Sequence, residues 1–170
     1  TGNVIPIVLA SKASDTVKVK NSFLHLPEAI AAFEDGYGSY KWNKVGYTMV
    51  PFNGGAMEHA TCIMYPLFAV NGTLEWETLM AHELSHHWWG NLVTCRTAED
   101  MWINEGLAAF SESLFLEYLY GYENYLANLK KTHRNVIQRA HFNDGGFLPL
   151  SGIPHNATYG SHTYDKGAVQ

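Results

Sequence analysis

His82-Glu83-Leu84-Ser85-His86, followed after an eighteen-residue gap by Glu105, constrains this chain more than any other feature. With the stretch from Leu74 to Trp89 read as a helix, His82 and His86 stand at i and i+4, so both imidazoles leave one face and can meet at one metal ion. Glu83 lies roughly 100° round the helix from His82. That leaves its carboxylate beside the metal and close to a water held there, where a general base belongs. Two imidazoles and the Glu105 carboxylate leave the fourth tetrahedral position of zinc open, as in a catalytic site and unlike a closed structural one. In such a site Zn2+ lowers the pKa of its water towards about 7 and polarises a carbonyl. Glu83 then takes the proton of the attacking water and passes it to the leaving amine. The competing reading is an exposed amphipathic helix with two solvated histidines.

The bulk properties exclude some functions. A chain of 170 residues is long enough to bury a substantial core as one domain. Net charge is −5 and no run of Lys/Arg exceeds two adjacent residues, which argues against a nucleic-acid or anionic-membrane surface. No apolar run approaches the ~20 residues of a membrane span, and no signal-peptide pattern opens the chain. Cys62 and Cys95 do not form a C-x-x-C pair and read as free thiols, since a domain of this size needs no staple.

Along the chain, Val4 to Ala10 and Thr16 to Lys20 read as strands, the second from the alternation of Val17 and Val19 with lysines. Leu26-Pro27-Glu28 opens a helix that ends near Gly36. Val45, Tyr47 and Met49 alternate as a strand, and Thr61 to Tyr65 forms another. From there the pattern turns helical. Thr73 is the expected N-cap of the motif helix and Gly90 its stop; a second helix runs from about Thr97 to Gly121, and a third from Tyr122 to Ala140. Gly145-Gly146, Pro149, Gly152 and Pro154 mark a loop. The expectation is a single α+β unit, strand-rich over 1–70 and helix-rich over 71–170.

The segments around the motif carry a family resemblance. His82-Glu83-Leu84-Ser85-His86-His87-Trp88-Trp89-Gly90-Asn91-Leu92-Val93-Thr94 is similar to the H-E-x-x-H-x-W-x-G-N-x-V-T signature of the gluzincin metallopeptidases typified by aminopeptidase N. Trp102-Ile103-Asn104-Glu105-Gly106 resembles that family's W-L-N-E-G block, Gly55-Ala56-Met57-Glu58-His59 its G-A-M-E-N exopeptidase motif, and Tyr164-Asp165-Lys166-Gly167 its Y-x-K-G element. The four blocks stand in order between Val45 and Ala168.

The resemblance implies a thermolysin-like catalytic domain, present in part, holding one Zn2+ on His82, His86 and Glu105. It implies that Glu58 binds the free α-amine of a peptide. Gly55, Ala56 and Met57 would lie with Glu58 along the substrate main chain, and Tyr164 would donate to the oxygen that turns negative. The implied partners are peptides with a free N-terminus, together with flanking domains: a preceding β-rich one and a following helical one. His59 departs from the family asparagine and bears on the shape of the amine pocket.

Other neighbours have two readings each. Asp100 is a partner for a zinc histidine or a helix cap, Asn104 orients Glu105 or is merely polar, and Tyr159 supports Tyr164 or packs. His87 points about 100° away from His86 and reads as a non-ligand. The activity expected is aminopeptidase. The alternatives are a zinc endopeptidase or oligopeptidase, which Glu58 disfavours, and a zinc-containing peptide-binding fragment, which Glu83 and Tyr164 disfavour.

Overall fold

The computed structural model describes residues 4–170, which fall into two compact units, one running through His87 and the other from Trp88 to Gln170. The fold is α+β, with one small sheet and a majority of helix.

In the first unit, β1 (Ile7–Ala10), β2 (Val45–Val50) and β3 (Ile63–Pro66) pair in parallel in that order. Ile7 sits opposite Val45, and Tyr47 opposite Ile63. A parallel pair requires a crossover; between β1 and β2 it is made by α1 (Thr16–Ser22) and α2 (Leu26–Tyr37). Val45, Tyr47, Ile63 and Tyr65 are fully buried, whereas Ile7 and Val8 on the edge strand are exposed. Phe23 meets Tyr47 and Tyr65 edge-on at centroid distances of 4.8 and 5.2 Å. Such contacts add about 0.5–1.5 kcal/mol each beyond the buried area.

α1 corrects the expectation of a strand over Thr16 to Lys20. Two valines one residue apart carry too little pattern to fix a period. Within α1 the buried positions are Val19 and Ser22, while Val17 is exposed. That spacing of three belongs to a helix face, and Lys18 and Lys20 are good helix formers.

The motif helix, α3 (Glu77–Ser85), is also shorter than expected. Thr73 does not cap it. The Asn71 carboxamide oxygen instead accepts the Thr73 N–H at 2.9 Å and the Thr73 hydroxyl at 2.7 Å, and Thr73 Oγ1 accepts the Glu75 N–H, so these residues form a polar turn ahead of the helix. At the other end the His87 N–H closes on the Leu84 carbonyl at 3.0 Å, tightening the last turn. The helix therefore ends at Ser85 with His86 as its C-cap, and Gly90, expected as its stop, lies beyond it at φ +129°.

The second unit is built on α4 (Trp102–Tyr120) and α5 (Tyr122–Asn135). Gly121, at φ +88°, separates them. α5 continues through a π-helical turn at Val136–Ala140, and a second π-helical turn occupies His162–Lys166. The glycine- and proline-rich loop lies where the composition placed it. No helix of the described residues is long and apolar enough to cross a membrane.

Candidate functional site

Every residue from Met80 to Trp88 is buried, including His82, Glu83, Ser85, His86 and His87. This rules out the solvated amphipathic helix. Buried imidazoles and carboxylates are costly unless they are paired or hold a metal. α3 is pinned from the sheet side by two tyrosines: the Tyr47 hydroxyl donates to the Met80 carbonyl at 2.8 Å and the Tyr65 hydroxyl to the Trp76 carbonyl at 3.1 Å. Burial holds both phenols above their ordinary pKa, and the Glu83 carboxylate adds to the effect.

The His82 and His86 rings face one another edge-on, 5.0 Å between centroids. Glu58, Glu83 and His86 each bring a ligand-type atom within 4.8 Å of the others'. Glu58 therefore converges, inside the first unit, on Glu83 and one of the two histidines. Two buried imidazoles with carboxylates beside them are donors that suit Zn2+.

His87 is engaged elsewhere, as the helix geometry indicated. Its Nε2 accepts the Thr61 N–H at 3.2 Å, which leaves the ring proton on Nδ1, 2.7 Å from the Tyr40 hydroxyl; that hydroxyl donates onward to the Lys44 carbonyl at 2.9 Å. Burial pushes the His87 pKa down to about 4; a hydrogen bond to the His59 backbone opposes the shift and repulsion from His86 adds to it. The ring is thus a neutral strut with both nitrogens occupied.

That strut also holds the segment carrying Glu58. Met57 exchanges two backbone hydrogen bonds with Met64 at 3.0 and 2.9 Å, so the chain runs there as a short antiparallel edge beside β3. Just beyond, the Cys62 N–H closes on the His59 carbonyl at 2.9 Å, and Thr61 adopts φ +64°, an uncommon conformation for a β-branched residue. Glu58 is fixed between the edge pairing and the His87-anchored turn. Gly55 has φ +113°, which favours glycine, and the His59 side chain is exposed. Cys62 and Cys95 are free thiols.

In the second unit Glu105 is buried in the first turn of α4. The Asn104 carboxamide oxygen accepts the Cys95 N–H at 3.0 Å, and its Nδ2 lies 3.1 Å from Thr94 Oγ1. Asn104 thereby ties the start of α4 to the end of the zinc-signature segment. Asp100 accepts the Ser151 hydroxyl at 2.5 Å, so it braces a loop. Tyr159 is 68% exposed and does not pack in the core.

Tyr164 sits half-buried in the second π-helical turn. The end of that turn meets the start of α4 at a backbone crossing. A methyl group on Gly106 would lie 2.7 Å from the Gly167 Cα and 3.0 Å from the Thr163 carbonyl oxygen. Gly106→Ala therefore opens the crossing. The expected loss is about 1–3 kcal/mol of stability from overpacking, against a gain of about 1 kcal/mol in helix propensity, with a fall in turnover. Urea denaturation and steady-state kinetics check this; an unchanged midpoint and rate would mean that the crossing yields freely.

The chain matches the Peptidase family M1 domain over residues 22–169. It belongs to peptidase family M1. Endoplasmic reticulum aminopeptidase 2 of Bos taurus is 32% identical over 144 residues, 76% of this chain and 15% of that protein. Leukotriene A-4 hydrolase of Xenopus laevis is 36% identical over 147 residues, 79% of this chain and 23% of that protein. An M1 zinc metallopeptidase from Deinococcus radiodurans superposes with a TM-score of 0.71 over 85% of this chain and 30% of that one, at 23% identity. The M1 assignment agrees with the four sequence blocks and with the α+β fold. The chain spans less than a quarter of the length of these two relatives.

Proposed function

We propose that this chain is the catalytic segment of a zinc aminopeptidase that releases the first residue of peptides with a free N-terminus. The observation that carries the reading is the convergence of Glu58, Glu83 and His86 within 4.8 Å, next to the facing His82 ring. That convergence supports reading Glu58 as an amine anchor, Glu83 as the base and His86 as a metal ligand. His82, His86 and Glu105 would hold Zn2+, which when bound supplies a Lewis acid for the scissile carbonyl and acidifies water.

The chain's own residues then divide the work. Glu58 pairs with the substrate α-ammonium and so fixes how far the first peptide bond enters the cleft. Gly55, Ala56 and Met57 offer an edge of backbone with small or flexible side chains beside the substrate main chain. Glu83 removes a proton from water as its oxygen bonds to the carbonyl carbon. The same proton passes to the nitrogen as the C–N bond breaks, giving an amino acid and a shortened peptide. Tyr164 donates its phenol proton as a hydrogen bond to the oxygen that becomes negative, and Tyr47 and Tyr65 hold the helix that carries Glu83.

Tyr164→Phe tests the assignment of the donor. The expected result is a fall in kcat of about 10²-fold with little change in KM, since the bond matters only in the transition state. A native rate would remove Tyr164 from the chemistry.

A further inference from the structure

The π-helical turn His162–Lys166 carries Tyr164, and both of its ends are tied to one loop. The Asp144 carboxylate accepts three hydrogen bonds there: the Ser161 N–H at 2.9 Å, the His162 N–H at 2.7 Å, and His162 Nδ1–H at 2.6 Å. His162 Nε2 accepts the Leu148 N–H at 3.2 Å, which requires the ring proton to sit on Nδ1, facing Asp144. At the far end of the turn Lys166 Nζ donates to the Leu148 carbonyl at 2.8 Å. The side chains of Asp144 and His162 are each only 4% exposed. A methyl group on Gly160 would fall 2.6 Å from Asp144 Oδ1, so the chain passes close against the carboxylate because it has no side chain there. Burial alone would raise the Asp144 pKa, yet the donors from His162 and Ser161 outweigh it and hold the carboxyl below its ordinary range.

A π-helical turn is a less favourable backbone state than an α-helical one and is retained where it aims a side chain. We propose that Asp144 and His162 are positioning residues that hold the widened turn and so aim the Tyr164 phenol; this rests on Tyr164 being the oxyanion donor. A buried carboxylate with three donors is a rigid fixture, and the Asp144–Leu148 loop brackets Tyr164 from both sides. Misplacing a reacting group by about 1 Å costs up to about 10²-fold in rate, which gives the fixture a catalytic consequence without contact with substrate.

The test is a double-mutant cycle on the zinc-loaded protein with an aminoacyl p-nitroanilide. Asp144→Asn is expected to lower kcat by about 10-fold with KM within about 2-fold. In the Tyr164→Phe background the same change is expected to cost less than about 2-fold, because the group it aims is already gone. His162→Asn, which keeps a side-chain N–H for Asp144, should retain more turnover than His162→Ala, and the ring 15N shifts of the native protein should report the Nδ1–H tautomer. Equal losses in both backgrounds, or the opposite tautomer, would overturn the proposal. Native kcat in Asp144→Asn, with Tyr164→Phe slow, would sink the positioning role alone; native kcat in Tyr164→Phe would remove the reading beneath it. If Asp144→Asn does not fold, His162→Ala, which removes the ring N–H from Asp144, enters the cycle in its place, with the same two outcomes deciding.

Discussion

Glu83→Gln is expected to lower kcat by about 10³-fold, within the range that general acid–base groups supply, and to leave Zn2+ bound. The amide keeps the size and polarity of the carboxylate but accepts no proton. Glu83 is the carboxylate of α3 whose neighbours, Glu58 and His86, lie within 4.8 Å. It is 5% exposed, and its helix is braced by Tyr47 and Tyr65. The variant should therefore fold as the native chain does and separate chemistry from metal binding. Steady-state kinetics and zinc content by elemental analysis read the two quantities independently. Zinc lost together with activity would mean that Glu83 helps to hold the ion; turnover within a few-fold of native would place the base elsewhere.

His86→Ala has the other large effect. Residues that merely orient a metal ligand are worth about 10–10² in affinity, so removing a ligand outright should weaken zinc binding by more than about 10²-fold and abolish turnover. His82→Ala and Glu105→Ala should behave alike. His87→Gln is the control, because both nitrogens of that ring are already engaged by Thr61 and Tyr40. It should keep zinc and disturb the turn behind Glu58 instead. Competition with a chromogenic chelator measures all four variants. Native zinc affinity in His86→Ala, or loss of zinc in His87→Gln, would overturn the ligand assignment. The proteins that lose zinc should also melt at lower temperature, since a metal bound only to the folded state stabilises it.

The parts of this molecule that were legible in its sequence are those where local pattern and structure share a period. The i, i+4 histidines, the Val45 and Tyr47 alternation, the proline at the start of α2 and the glycine that closes α4 are of this kind. α1 has the pattern of a strand only because Val17 and Val19 alternate by coincidence; its buried residues, Val19 and Ser22, are three apart as on a helix face. The supports of the site left no local trace. The Tyr47 hydroxyl reaches a carbonyl 33 residues away, His87 meets Tyr40 across 47, and Asp144 meets His162 across 18. Each is an ordinary residue in its own segment and acquires a role only through tertiary contact. Gly106 and Gly167 are similar: each belongs to a recognised block, but their shared contact could not be inferred from either block alone.

The most direct test of the account is the cleavage of one peptide and of its N-acetylated twin by zinc-loaded protein, with and without chelator. Glu58 near the base predicts chelator-sensitive release of the first residue from the free peptide, and a fall of about 10²-fold or more for the acetylated one, which has lost the cation that the carboxylate binds. Equal internal cleavage of both peptides would contradict an aminopeptidase and leave the same metal chemistry serving an endopeptidase.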